Sequence, residues 1–120
     1  MSIELKRAYD DPEKNDGLRV LVDRVWPRGI KKEDTRLDDW MKDIAPSDEL
    51  RKWFGHDPEK WPEFCEKYFR ELDDREDLVE KIAGYMKKGR VTLIFGAADR
   101  EHNNAAALKQ YLLERVSHSR

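Results

Sequence analysis

The residues best suited to chemistry fall in two short runs. Val22-Asp23-Arg24-Val25-Trp26-Pro27-Arg28-Gly29 continues a β-branched, apolar stretch, so it reads as the C-terminal end of a strand and the chain just beyond. Adjacent Asp and Arg are rare inside a strand unless paired or exposed at its end. Asp23 can act as a base or orient an arginine. Arg24 and Arg28 offer planar forks for a carboxylate or phosphate, and Trp26 offers a stacking face. The second run, Phe95-Gly96-Ala97-Ala98-Asp99-Arg100-Glu101-His102-Asn103-Asn104-Ala105, joins a strand to a helix through small residues. Small residues let the backbone approach a ligand, and the first helical N–H groups favour anions. Asp99 reads as the cap of that helix, which places His102 near its third position. Asn103 and Asn104 stand beside it as candidate ligand contacts. Histidine is the side chain that trades protons near neutral pH, so Asp23 and His102 are the candidate catalytic pair.

Each run also has a plainer reading. In the first, Asp23 and Arg24 bind backbone or neighbouring helices, Trp26 is core and Pro27-Arg28-Gly29 is only a turn. In the second, Asp99, Asn103 and Asn104 satisfy local backbone and His102 lies on the surface. What separates the two readings is the sheet. In an open α/β sheet, ligands bind beyond the C-terminal strand ends. If the two strands that precede these runs are parallel, Asp23, Arg24, Trp26, Arg28, Asp99 and His102 converge on one edge.

The elements that must position them can be traced along the chain. Ile3, Leu5 and Arg7-Ala8-Tyr9 read as a first strand, and Leu18 to Trp26 as a second. The turn chemistry between them, Asp10 to Gly17, is too short for a helical crossover, so these strands form a hairpin or are not neighbours. Leu37, Trp40, Met41 and Ile44 follow the i, i+3, i+4, i+7 pattern of a helix face, with Thr35 and Asp38 resembling a capping box. Ser47 is placed to cap a helix bearing Leu50, Trp53 and Phe54, which Gly55 ends. Trp61, Phe64, Cys65, Tyr68, Phe69 and Leu72 form the clearest amphipathic helix. Another runs from Asp74 to Lys88. Val91 to Phe95 is a buried strand, and a last helix from about Arg100 to Val116 turns Ala105, Leu108, Leu112 and Val116 inward. This order predicts a single α/β domain over residues 1–120, a short, mostly parallel sheet of about three strands covered by about five helices.

Length and composition agree. One domain suits 120 residues, and twelve aromatic residues beside 42% charged ones describe a small core of large rings under a coat of charge, not a disordered chain. Mean hydropathy is −0.97 and no stretch approaches a membrane span, so a membrane partner is not expected. A single cysteine excludes an internal disulfide and suits a cytoplasmic protein. Cys65 lies on an inward stripe and reads as a core thiol. Three scattered histidines and one cysteine offer no metal-ligand spacing, so no metal is assigned, and no cofactor or oligomeric state is indicated. The net charge of −2 hides an uneven distribution. Residues 33–80 carry 17 acidic and 8 basic side chains, whereas residues 81–120 carry 3 acidic and 8 basic.

Four blocks taken together carry a resemblance: Lys6-Arg7-x-Tyr9-Asp10, Leu21 to Gly29, Ala45-Pro46-Ser47-x-x-Leu50-Arg51-Lys52-Trp53-Phe54, and Glu101-His102-Asn103-Asn104-Ala105. Across nearly the whole chain they resemble the YeaO-like family, small prokaryotic proteins within a larger domain-of-unknown-function family. The resemblance implies a compact α/β fold and a cytoplasmic prokaryotic protein, and no established activity. It places the family's polar motif positions at Arg7, Tyr9, Asp23, Arg24, Arg28, Ser47, Arg51, His56 and His102. Where the family often has a second histidine, this chain has Asn104.

The leading reading is therefore a binding site, or a small enzyme's active site, for an anionic small molecule or nucleotide-like ligand. Arg24 and Arg28 would hold the anion, Trp26 would stack or wall the pocket, and Arg7, Tyr9, Ser47 and Arg51 would support the contacting residues. The alternative is a nucleic-acid-binding module, in which Arg24, Trp26, Arg28, Lys31 and Lys32 interleave an aromatic ring with basic groups. Against it stands a pI near 6.0. A third option is a protein-interaction module built on the acidic helices.

Overall fold

The computed structural model describes residues 2–118, with side chains described through Arg115. Four parallel strands form one sheet: β1 (Ile3–Arg7), β2 (Leu18–Leu21), β3 (Asp39–Trp40) and β4 (Val91–Phe95). Their spatial order is β1-β4-β2-β3. The first two strands are thus not a hairpin. They are separated by β4, which pairs with Ile3–Arg7 on one side and with Leu18–Leu21 on the other. The parallel relation between the strands preceding the two polar runs, on which the expected convergence depends, is present.

Strand alternation sorts the side chains onto two unlike faces. Val20, Val22, Val91, Leu93 and Phe95 enter the main core. There they meet the longer helices: α2 (Asp48–Phe54), α3 (Trp61–Asp73), α4 (Glu76–Lys88) and α5 (Asn104–His118). The amphipathic stripes select the inward residues. Phe64, Tyr68 and Leu72 of α3, Val79, Ile82 and Met86 of α4, and Ala105, Leu108 and Leu112 of α5 are all buried. The side chain of Val116 lies outside the described residues. Each such large apolar side chain contributes about 1.5–3 kcal/mol on burial. Tyr68 keeps its hydroxyl satisfied by donating to the Ile44 carbonyl, 2.7 Å.

Among the described residues, no long helix contributes to the apolar cluster on the opposite face. Ala8, Leu21 and Ile94 form a small second cluster there, roofed by Trp26, Ile30 and Leu37 from the loop after β2 and from the short α1 region (Lys32–Thr35). The other half of this face is ionic. Buried Asp16 accepts from Lys6 at 3.0 Å and from Arg19 at 2.6 Å, and Arg19 Nε donates to the Thr35 carbonyl at 2.9 Å.

Several element boundaries differ from the pattern-based expectation. The helix over Leu37–Ile44 does not form. Asp39–Trp40 pairs with β2 instead, and Lys42–Ile44 makes one 3₁₀ turn. Leu37 packs with the second cluster, Met41 and Ile44 enter the main core and Trp40 is 38% exposed, so these apolar residues do not share one helix face. The Thr35–Asp38 box is absent as well: Thr35 Oγ1 donates to the Lys32 carbonyl, and Asp38 accepts from the Arg19 N–H. The second strand ends at Leu21, five residues earlier than the apolar run. The last helix begins at Asn104, not near Arg100.

Candidate functional site

β2 and β4 run parallel and stop side by side. The Val22 N–H still donates to the Ile94 carbonyl at 3.1 Å, and then both chains leave the sheet. Asp23 bridges the two exits. Its Oδ2 accepts from the Gly96 N–H at 2.8 Å and its Oδ1 accepts from Asn104 Nδ2 at 3.1 Å. The same Nδ2 donates to the Val22 carbonyl at 2.9 Å. The carboxylate thereby ties the end of β2, the start of the β4–α5 loop and the first residue of α5 together. Burial pushes the Asp23 carboxyl above the usual range, against the opposing pull of the Gly96 N–H, the Asn104 amide and the Arg51 charge.

A pocket of about 280 Å³ opens above this junction. Asp23, Arg24, Arg51, His56, His102 and Asn104 line its polar parts, and Val25, Ala45, Pro46, Phe54, Phe64 and Ala97 line its apolar wall. Arg24 Nη2 donates to the Ala45 carbonyl at 3.2 Å and Nη1 lies 3.7 Å from Asp43, whereas its buried Nε has no hydrogen-bond partner among the described residues. Ala45 is held from behind as well, because Arg75 also donates to its carbonyl. Arg51 projects from α2, exposed, 3.2 Å from Asp48.

His102 stands on the β4–α5 loop with Nδ1 3.0 Å from Asp99 Oδ2. An ionised carboxylate only accepts, so Nδ1 carries the proton and Nε2 is the ring's uncommitted nitrogen. Asp99 Oδ1 also accepts the backbone N–H groups of His102 and Glu101, at 3.0 and 2.9 Å, and these donations hold its carboxyl below the usual range. The imidazole sits edge-on to Trp61, ring centroids 5.3 Å apart.

Of the residues expected to converge, Asp23, Arg24 and His102 line this pocket, with Asp99 directly behind His102, and the candidate contacts Asn103 and Asn104 line it too. The cap of α5 is Asn103, not Asp99. Asn103 Oδ1 accepts from the Ala106 N–H at 2.8 Å and its Nδ2 donates to the Asp99 carbonyl at 2.9 Å, so both polar ends are spent on the loop. Trp26 and Arg28 do not line the pocket. Trp26 donates to the Ile30 carbonyl and packs edge-on to Trp40, ring centroids 5.3 Å apart, in the cluster on the opposite face. Arg28 is exposed on a turn, and its carbonyl accepts from the Tyr9 hydroxyl at 2.9 Å. Arg7 fastens the β4–α5 loop, donating to the Ala97 and Gly96 carbonyls at 2.8 and 3.3 Å, and its guanidinium lies over the Tyr9 ring. Ser47 caps α2 by accepting from the Leu50 N–H, and Glu71 accepts from both its N–H and its hydroxyl. Arg51 faces the pocket directly rather than supporting it from behind.

A model of the DUF488-N3i family, described as the inactive DUF488-N3 subclade, matches residues 2–120. The chain belongs to that family. The Escherichia coli protein YeaO is 45% identical over 112 residues, covering 93% of this chain and 97% of YeaO. The Mycobacterium tuberculosis protein Rv3073c is 43% identical over 112 residues, covering 92% of each chain. The YeaO-like resemblance of the four sequence blocks therefore holds. No solved structure matches the chain.

In this DUF488-N3i chain, His56, which at a helix boundary reads from its residue type as a cap or surface group, lines the pocket, as does an apolar wall that the sequence did not single out. His56 follows Gly55, and both adopt positive φ, 59° and 53°, which turns the chain back over the end of α2 at the pocket. A non-glycine residue in that conformation is uncommon and has no local sequence mark. The family's polar motif positions did include His56. Val25, Phe54 and Phe64 carry no chemical signal of their own. Among the described residues, no group of three or more His, Cys, Asp or Glu side chains comes together to hold a metal ion, and no helix is long and apolar enough to cross a membrane.

Proposed function

We propose that the pocket binds an anionic small molecule. The observation that carries this reading is its charge. Arg24 and Arg51 line one small cavity whose single lining carboxylate, Asp23, already receives two donors from the protein. Their carboxylate partners, Asp43 and Asp48, lie outside that lining with side chains 73% and 62% exposed, and Arg24 brings a buried Nε with no partner among the described residues. The volume of about 280 Å³ lies at the lower edge of the roughly 300–1,000 Å³ of ligand pockets, which suits a compact anion-bearing molecule. The family's description as an inactive subclade favours binding over turnover. Should chemistry occur, Asp23 and the Asp99–His102 pair are the groups positioned for it. Arg24 and Trp26 line different cavities, which supports a small anion over a nucleic-acid strand laid across Arg24, Trp26, Arg28, Lys31 and Lys32. We place the protein in the cytoplasm, where its one buried thiol stays reduced.

Thermal melts in phosphate and in chloride of matched ionic strength test the reading. With a Kd on the order of 1 mM, about 50 mM phosphate adds roughly 2.3 kcal/mol. At about 2.1 cal/mol/K per residue this raises the melt by about 9 °C over chloride. Arg51→Ala and Arg24→Ala, each measured against its own chloride melt, should remove most of that excess, and Arg28→Ala should leave it intact. Equal melts in the two salts, or an excess that survives loss of both Arg24 and Arg51, would overturn the assignment.

A further inference from the structure

We infer that the ligand is a phosphate ester of a polyol, with hydroxyls on Asp23 and Asn104 and the phosphate towards Arg24 and Arg51. This rests on the anion-binding reading and deepens it by naming the body that carries the anion. Asn104 Nδ2 donates to the Val22 carbonyl and to Asp23 Oδ1. Both partners are acceptors, which fixes the orientation of the amide and leaves Oδ1 as its uncommitted atom. Each Asp23 oxygen receives one donor and, with about two lone-pair sites, can accept another. This corner of the pocket therefore offers acceptors only, and it selects ligand donors.

Hydroxyls and ammonium groups are both donors, and the surroundings choose between them. The Asp23 charge is already met by the Gly96 N–H and the Asn104 amide, so it does not require a cation. Arg24 and Arg51 line the same small cavity and repel one. Hydroxyls fit without that penalty. The same pocket carries an apolar wall, where Phe54 and Phe64 offer surface to the C–H groups of a sugar or polyol chain. The ligand that meets all three demands carries hydroxyls, a carbon body and a phosphate.

Isothermal titration of the full chain with inorganic phosphate, propyl phosphate, 2-aminoethyl phosphate and ribose 5-phosphate separates the possibilities. Ribose 5-phosphate should bind at least tenfold tighter than inorganic phosphate, and propyl phosphate less than threefold tighter. Asp23→Asn should reduce the sugar phosphate's advantage to below threefold without weakening inorganic phosphate. That variant sets an amide against the Gly96 N–H and can unfold, so Asn104→Ala provides the same comparison from the other side of the pair. If ribose 5-phosphate and propyl phosphate bind equally, or 2-aminoethyl phosphate binds tightest, this inference falls while anion binding stands. If inorganic phosphate and all three esters fail to bind, both fall.

Discussion

Asp10 secures the His102 loop from outside the pocket. Its two carboxylate oxygens each accept from Arg100 at 2.9 Å, and Oδ2 also accepts the Arg7 N–H at 2.9 Å. The Arg100 donation is the main cause of its carboxyl being lowered from 3.8 to about 2. A carboxyl depressed in the folded state contributes stability that is complete above its unfolded value and is lost as pH falls through its folded value. The window here runs from about pH 4 down to about pH 2. At about 1.36 kcal/mol per pH unit, the displacement corresponds to about 2.4 kcal/mol. The Arg100 side chain is 58% exposed, so solvent screening reduces this to about 1–1.5 kcal/mol. Asp10→Asn should cost that amount at pH 7, a fall of about 5 °C at an unfolding entropy of roughly 250 cal/mol/K. Melts of both proteins from pH 7 to pH 2.5 provide the assay, and the gap between them should close below pH 4. No gap at pH 7 would show that the ion pair contributes nothing. A gap that persists undiminished at pH 2.5 would show that Asp10 acts through shape rather than charge.

Gly17→Ala should be among the most damaging single-atom additions. Its Cβ would stand 2.3 Å from the Arg90 carbonyl oxygen at a residue with φ +68° and ψ −138°, a backbone region essentially reserved to glycine that costs other residues about 1–3 kcal/mol. The melt should fall by more than about 10 °C, and an unchanged melt would mean that β2 shifts freely against the start of β4. Cys65 is buried and its thiol is pushed up to about 11, so a thiol reagent at pH 8 should leave it unlabelled in the native state and label it after denaturation. Labelling within seconds in native buffer would refute the packing of α3.

The elements legible in the sequence were those whose patterns have a single structural solution. Ser47, with Leu50 and Phe54 behind it and Gly55 after it, describes a short capped helix, and the chain folds so. Val91–Phe95 reads as a buried strand, and it is buried at every position. Leu37, Trp40, Met41 and Ile44 misled because helical spacing also arises when a loop crosses the sheet edge and places successive apolar residues on opposite faces. At the site, Asp23, Arg24, His102 and Asn104 could be found because parallel strands bring their C-terminal ends to one edge. Trp26 and Arg28 escaped that logic. β2 ends at Leu21, so the chain has already turned to the other face before it reaches them. Asn103 rather than Asp99 caps the last helix because either residue type can cap one, and only the loop geometry decides which does.

The strand order has a consequence for the time course of synthesis. β4 is the last strand to be made, and it lies between the first two. Until Val91–Phe95 leaves the ribosome, β1 has no partner and β2 has only the two residues of β3. At roughly 5–20 residues per second, the wait between completing Leu21 and beginning Val91 is about 4–14 s. Through that interval the nascent chain carries unpaired strand edges and helices with no sheet to cover. The two halves of the pocket, one after β2 and one after β4, are joined only when the final strand inserts. The sheet and the site are therefore completed in the same event, and a chain stalled before Val91 has neither.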